Sequence, residues 1–340
     1  MAKFTDIFED VTKQGTKIPS NLYLENGIYP IIDQGQSQIA GYTNETKGLF
    51  TDIPAIIFGD HTRIIKYVDV PCFLGADGVK LLKTKDKNAN YKYLYYALYS
   101  ADIPNTGYNR HYKWLKEIDI PEYSIEEQCS IVDQLEKIDA LIFLRKQQIK
   151  KLDELVKSRF IELFGDYKIN DKGFECKKGS DLFRFSSGKF LPEEKRHGDG
   201  IPVYGGNGIA WYTDMPLVDF PTIIIGRVGA QCGNIHAITE PVWITDNAIY
   251  IKEQKTNSYT LEFLTELMRM MDFYQYADFS GQPKITQKPL ETLNYIVPPI
   301  ELQKEYTAFV EQTDKSKLVI QKSLEKLETL KKSLMQKYFG

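Results

Sequence analysis

Tyr204-Gly205-Gly206-Asn207-Gly208 has the glycine density of a phosphate-cradling loop, but no Lys-Ser or Lys-Thr pair follows to complete one. It reads as a turn. Gly226-Arg227-Val228-Gly229 also reads as a tight turn, and no dinucleotide fingerprint follows a strand. No Asn/Asp-Pro-Pro-aromatic tetrad is present. Neither is a pair of acids ahead of Glu-x-Lys in a strand context, a Gly-x-Ser-x-Gly elbow or a Cys/His arrangement. Glu193-Glu194-Lys195-Arg196-His197 is most simply a solvated loop. Cys72, Cys129, Cys176 and Cys232 are far apart, form no CxxC pair, and stand among only four scattered His. No catalytic residue and no metal ligand is therefore assigned, and weight moves from catalysis to binding.

Binding chemistry is better represented. The first half offers Asn44, Lys47, His61, Arg63, Lys66, Tyr108, Asn109, Arg110 and His111 in its connecting segments. The second offers Ser187, Lys189, Arg227, Gln231, Asn234, Gln282 and Lys284. Arg, Asn and Gln can bond base edges in pairs, while Lys and backbone amides hold phosphates. Singly, each is an ordinary surface residue. Together they fall in the loops of both halves, where binding residues concentrate. Composition alone leaves DNA, RNA, glycan and protein open as ligands.

The elements that must position these residues are mixed and mainly β. Residues 1–120 carry strand-like runs at 28–32, 54–58, 63–68 and 79–82, and residues 167–297 carry them at 202–204, 222–225, 235–238 and 248–251. Gly, Asp, Asn and Pro punctuate both sets. The pattern predicts one helix in each part, over 91–99 and 261–276. Each is followed by a Gly-containing loop, Thr106-Gly107-Tyr108-Asn109-Arg110-His111 and Ser280-Gly281-Gln282-Pro283-Lys284.

The chain is one unit written twice. Residues 330–340 read LKKSLMQKYFG and residues 155–165 read LVKSRFIELFG, an offset of 175 positions. The same offset pairs Leu152 with Leu327, Asp139 with Asp314, Gln128 with Gln303 and Ile125 with Ile300. With small length differences it continues upstream, through Asp77-Gly78 opposite Asp246-Asn247 and 53–59 opposite 220–226. Such duplication implies near-two-fold internal symmetry.

Each copy ends in a long helix, Ile125–Phe164 and Ile300–Phe339, free of Pro and with Gly only just beyond. Ile131, Leu135, Ile138, Ile142, Ile149, Leu152 and Val156 form an apolar seam interrupted at Arg145. Tyr306, Val310, Ile320, Leu324, Leu327 and Leu334 form the second, broken by Thr313, Lys317 and Lys331. Seams of this length suit a coiled coil. The expected partner of each helix is the other, antiparallel, with one globular part at each end. Lys146, Lys150, Lys151, Lys322, Lys326, Lys331 and Lys332 read as solvated outer faces. Gly165 and Gly340 sit where helix C-caps belong.

The 340 residues carry 43 Lys and Arg against 46 Asp and Glu, a net charge of −3. That is weak evidence against a nucleic-acid binder, because local patches matter more than totals. No apolar run is long enough to span a membrane, and no apolar signal core opens the chain. The expected location is a reducing cytoplasm.

This layout resembles the specificity (S) subunit of type I restriction–modification systems. The carrying residues are Ile120-Pro121, Ile125-Glu126-Glu127-Gln128, Ile131, Leu135, Asp139 and the Leu-x₂-Leu-x-Lys-Ser-x₅-Phe-Gly ending at Gly165. The second set is Val297-Pro298-Pro299-Ile300-Glu301-Leu302-Gln303, Asp314 and the ending at Gly340. The resemblance implies an α+β fold with a pseudo-two-fold repeat. Its segments are a first target-recognition domain (1–120), a first helical spacer (121–166), a second target-recognition domain (167–297) and a second spacer (298–340). The two helices pack as an antiparallel coiled coil. Each globular part would read half of a split double-stranded DNA site in the major groove, and the helices would set the gap. Two methyltransferase (M) subunits would dock and use S-adenosylmethionine. Restriction (R) subunits could join and use ATP and Mg. This chain would bind no cofactor, catalyse nothing and meet no membrane. Rival readings are the recognition part of a fused restriction–methylation or other phage-defence system, and a structural or adhesion module.

Overall fold

Residues 55–59 read Ala-Ile-Ile-Phe-Gly, with no polar side chain, and every one is buried. Such a run must be a central strand covered on both faces. Residues 222–226, Thr-Ile-Ile-Ile-Gly, are buried in the same way. Around these two strands a computed structural model places two units, Met1–Lys146 with Lys322–Gly340, and Gln147–Gln321. It describes residues 1–75 and 78–340. Asp77, aligned above with Asp246, lies outside the described residues.

The first unit holds β1 (Ala2–Lys3), α1 (Phe4–Ile7), β2 (Phe8–Asp10), β3 (Tyr29–Ile32), β4 (Gly41–Thr43), β5 (Ala55–Gly59), β6 (Ile65–Val68), β7 (Phe73–Leu74), β8 (Val79–Thr84), α2 (Tyr91–Ser100), α3 (Tyr112–Leu115), β9 (Asp119–Ile120) and the first part of α4 (Ile125–Phe164). Its sheets run β2-β8-β5-β6, β4-β3-β7 and β1-β9. The second holds the rest of α4, then β10 (Glu175–Lys178), α5 (Gly179–Leu182), β11 (Phe183–Ser187), β12 (Ile201–Gly205), β13 (Gly208–Thr213), β14 (Thr222–Gly226), β15 (Ile235–Ile238), β16 (Trp243–Ile244), β17 (Ala248–Gln254), α6 (Leu261–Met270), α7 (Gln287–Thr292), β18 (Asn294–Val297) and the start of α8 (Ile300–Phe339). Its sheets run β11-β17-β14-β15, β13-β12-β16 and β10-β18. Strand for strand the order is the same, including one parallel pair in each, β3 with β7 and β12 with β16. The duplication read from the sequence is a duplication of fold.

The helix expected over 261–276 is shorter. Asp272 takes a left-handed φ of 46°, which ends α6 and leaves Phe273–Tyr276 as a 3₁₀ turn. Asn90 and Thr260 cap α2 and α6 by accepting from Tyr93 N–H (3.1 Å) and Phe263 N–H (3.4 Å).

The recurrent helix endings have a packing reason. Phe164 stacks edge-on to Phe263, centroids 4.5 Å apart, within an aromatic group that includes Phe160 and Tyr306. Phe339 sits 5.4 Å from Tyr93 in the first unit. Each Phe therefore closes its unit's core over the helix of that unit. Gly165 follows with φ 70°, the left-handed conformation a helix C-terminus favours.

The recurrent glutamine has one too. Gln128 donates to the Tyr123 carbonyl at 3.0 Å, and Gln303 donates to the Pro298 carbonyl at 2.9 Å. Gln303 is fully buried and also donates to Ser258 O (2.8 Å) and accepts from Thr260 N–H (3.0 Å). At the start of α4, Ser124 and Glu127 form a reciprocal capping box. Ser124 N–H and Ser124 Oγ, each donating to the Glu127 carboxylate at 2.9 Å, hold that carboxyl below its usual range.

In each unit the two long helices run antiparallel. In the first, Ile131 and Leu135 are buried with Met335, and Leu334 packs against them. Ile138 is buried and Ile142 half-buried. Lys331 reaches Asp139 at 2.5 Å, and Lys146 reaches Glu328 at 3.1 Å. Leu324 is buried and Leu327 half-buried. In the second, Lys317 bonds Asp153 at 2.7 Å and Arg159 pairs with Glu305, while Ile149, Leu152, Val156, Val310 and Ile320 are half-buried. Lys146 and Lys331 are thus not merely solvated. They and Lys317 are interhelical pairs that fix register, although exposed pairs of this type are worth only ~0–1 kcal/mol each.

Candidate nucleic-acid interface

Strand ends bring three loops together in each unit. In the first, Asp60 follows β5. Its N–H donates to Gly78 O at 2.6 Å, and its carbonyl accepts from His111 N–H at 2.7 Å. In the second, Arg227 follows β14. Its N–H donates to Asn247 O at 2.9 Å, and its carbonyl accepts from Ile285 N–H at 2.9 Å. The same two bonds therefore clamp the loop after the central strand, the turn before its sheet neighbour (β8 or β17) and the loop that follows the helix.

The second clamp is extended by Gly229 N–H onto Pro283 O at 2.9 Å. Gly206 enters it from the β12–β13 hairpin. A Cβ there would meet Gly226 Cα at 3.2 Å and Asn247 O at 3.3 Å, so the close approach favours a glycine. Arg227 is half-buried and donates from Nη1 to Asp246 O at 3.2 Å. Asn234 donates to Gln231 at 2.6 Å. Gln287 donates to Ser187 at 3.4 Å, linking the end of β11 to α7. Lys189 is exposed, and its carbonyl accepts from Trp243 Nε1 at 3.0 Å. Gln282 and Lys284 are exposed on the loop after α6.

In the first unit Tyr108, Asn109 and Arg110 are exposed on the corresponding loop. His61 lies beside them, its Nδ1 donating to Asn109 O at 3.2 Å. Arg63 turns inward, donating from Nη1 to Ile103 O at 3.0 Å. Two candidates are corrected. Lys66 is 3% exposed, bonded to Ser37 O at 2.5 Å and facing Asp33 at 3.5 Å, so it braces the loop after β3 from within. Burial lowers its pKa, opposed by Asp33. His111 is 0% exposed and donates from Nδ1 to Asp60 O at 3.0 Å. Both are internal posts rather than contact residues. Asn44 and Lys47 are exposed but lie past the far end of β4, where Asn44 accepts from Ile28 N–H at 3.1 Å. They do not join the cluster.

Residues missed from sequence complete the clamps. Gln34, two residues after β3, accepts from His61 N–H at 3.1 Å and from Thr62 Oγ1 through its carbonyl at 2.7 Å. Asp60 accepts from Tyr112 N–H at 2.7 Å. The available signal was the internal repeat, which sets Asp60 opposite Arg227. His236 occupies on β15 the place of Lys66 on β6. Burial pulls its pKa down, against a bond to the Gly206 backbone, and its Nε2 is buried without a hydrogen-bond partner.

Among the described residues, no group of His, Cys, Asp and Glu is arranged to hold a metal ion, and no helix is long and apolar enough to cross a membrane. Cys72 is buried, which pushes its thiol up to about 11.

The family described as the type I restriction modification DNA specificity domain matches residues 1–154 and again 171–329. The EcoprrI type I restriction enzyme specificity subunit of Escherichia coli is 27% identical over 208 residues, 58% of this chain and 50% of that relative, so the chain spans half its length. A type I specificity subunit of Mycoplasma genitalium is 24% identical over 355 residues, 96% of this chain and 90% of that relative. The crystal structure of a type I restriction–modification S subunit from M. genitalium superposes with a TM-score of 0.68 at 21% identity, covering 99% of this chain and 95% of that one. A chain from a structure on complex assembly and conformational transition of the type I system gives 0.54 at 15% identity, covering 99% and 95%. With both copies of its repeat matched, the chain belongs to the type I restriction–modification DNA specificity family.

Proposed function

We propose that this chain is the non-catalytic specificity subunit of a cytoplasmic type I restriction–modification complex. Each unit reads one half of a bipartite double-stranded DNA target in the major groove. The carrying observation is the shared clamp. Asp60 and Arg227 hold the same backbone bonds in two units of the same strand order, while the side chains displayed around them differ. One scaffold with two surfaces suits an asymmetric split site.

The helices set the gap and dock two methyltransferase subunits. Leu141, Phe143 and Leu144 support docking, being 43%, 61% and 55% exposed on α4. Exposed apolar groups in proximity mark interaction sites. S-adenosylmethionine, and ATP with Mg where restriction subunits join, belong to those partners. Phosphate contacts shared with them reconcile DNA binding with a net charge of −3.

Inserting one helical turn into both α4 and α8, near residues 147 and 321, tests the ruler. Four residues add ~6 Å, or about two base pairs at 3.4 Å each. Methylation mapping should show both half-sites kept and the gap changed by about that amount. An unchanged gap contradicts the reading.

A further inference from the structure

Tyr108 and Gln282 occupy the same place in the two units. Each lies three residues before the one whose N–H closes the clamp, His111 onto Asp60 and Ile285 onto Arg227. Each also covers the loop after the central strand. Tyr108 stacks on His61, rings 4.6 Å apart and 8° from parallel. Gln282 lies over Gly229, where an added Cβ would come within 3.2 Å of its Nε2.

Tyr108 is 87% exposed, yet it is not loose. The His61 ring behind it is tied to Asn109 O at 3.2 Å, and the His61 backbone N–H to the Gln34 side chain at 3.1 Å. An aromatic plane left in water but braced from behind is preorganised for an apolar partner, since little side-chain freedom remains to be lost on contact. On a DNA-reading surface the apolar feature of the major groove is the thymine 5-methyl. Gln282 presents an amide from the same position, and an amide matches the paired N6 donor and N7 acceptor of adenine.

We propose that 108 and 282 are the corresponding base-reading positions of the two halves, Tyr108 covering a thymine methyl and Gln282 pairing with an adenine. The proposal rests on the split-site reading above, and goes further by assigning a base to each unit.

The test selects a bipartite site from a randomised duplex library, using the full chain with its methyltransferase subunits. Each thymine of that site is then replaced by deoxyuridine, and each adenine by 7-deazaadenine. One thymine in one half should be sensitive, its methyl worth about four-fold in affinity. Tyr108→Ala should abolish that sensitivity and Tyr108→Gln should select adenine there. In the other half, Gln282→Ala should remove about ten-fold or more of discrimination at one adenine. Circular dichroism would verify folding, which an exposed tyrosine does not control. A clear bipartite site with no methyl-sensitive thymine, or one equally sensitive with Tyr108→Ala, overturns the assignment and leaves the split-site reading intact. Selection of no bipartite site by the wild-type complex overturns both.

Discussion

The side-chain amide of Gln303 donates to the carbonyl of Pro298 at 2.9 Å, and this bond ties the first turn of α8 to the residues that lead into it. The same amide holds Ser258 O and Thr260 N–H, and Gln303 itself has no access to water. Gln303→Ala strands these groups and should destabilise the second unit by about 2–4 kcal/mol. Gln128→Ala, which loses its one bond to Tyr123 at a half-buried site, should cost about 1 kcal/mol. Urea unfolding of the two variants checks the order. Equal losses would mean that the extra bonds of Gln303 contribute nothing.

His111 and Arg110 are neighbours with opposite roles. His111→Ala removes a buried post under the clamp and should lower stability by about 1–3 kcal/mol. Arg110→Ala, fully at the surface, should leave the melting temperature within about 1 °C and weaken specific DNA binding by about 1–3 kcal/mol if Arg110 meets a base. Thermal unfolding paired with a DNA titration separates the two. Unchanged affinity and specificity with Arg110→Ala would strike that residue from the interface.

His236 makes the second unit acid-sensitive. Burial lowers its pKa from the ordinary 6.5, so the folded state resists the proton that the unfolded chain accepts. More protons bound when unfolded means stability that rises with pH. Stability should therefore be full above about pH 6.5 and fall as pH drops below it, until the folded pKa is passed. His236→Asn should flatten that part of the profile. A variant with the same slope as wild type would assign the acid loss to other groups.

What the sequence disclosed follows from physical range. Ile125–Phe164 and Ile300–Phe339 were legible end to end because forty residues without Pro repeat apolar side chains at helical spacing, a signal carried by near neighbours in sequence. The central strands were legible as unbroken apolar runs. Lys66 and His111 were misplaced because a lone polar residue, in the β6 run or in the loop after α2, carries no local sign of burial. That sign comes from Asp33 and Asp60, distant in sequence. The break at Asp272 was missed because Asp supports helix or left-handed turn according to its surroundings. The clamps were out of reach for the same reason, as Asp60 meets His111 only after the sheet has formed.

The central claim is that two units on one chain read two halves of one site. Methylation mapping of a host that expresses the chain with its methyltransferase subunits tests it most directly, with wild type, Arg110→Ala and Arg227→Ala compared. The account predicts a gapped two-part motif, blurred in one half by Arg110→Ala and in the other by Arg227→Ala, with the gap unchanged. A single contiguous motif, or blurring of the same half by both variants, would contradict it.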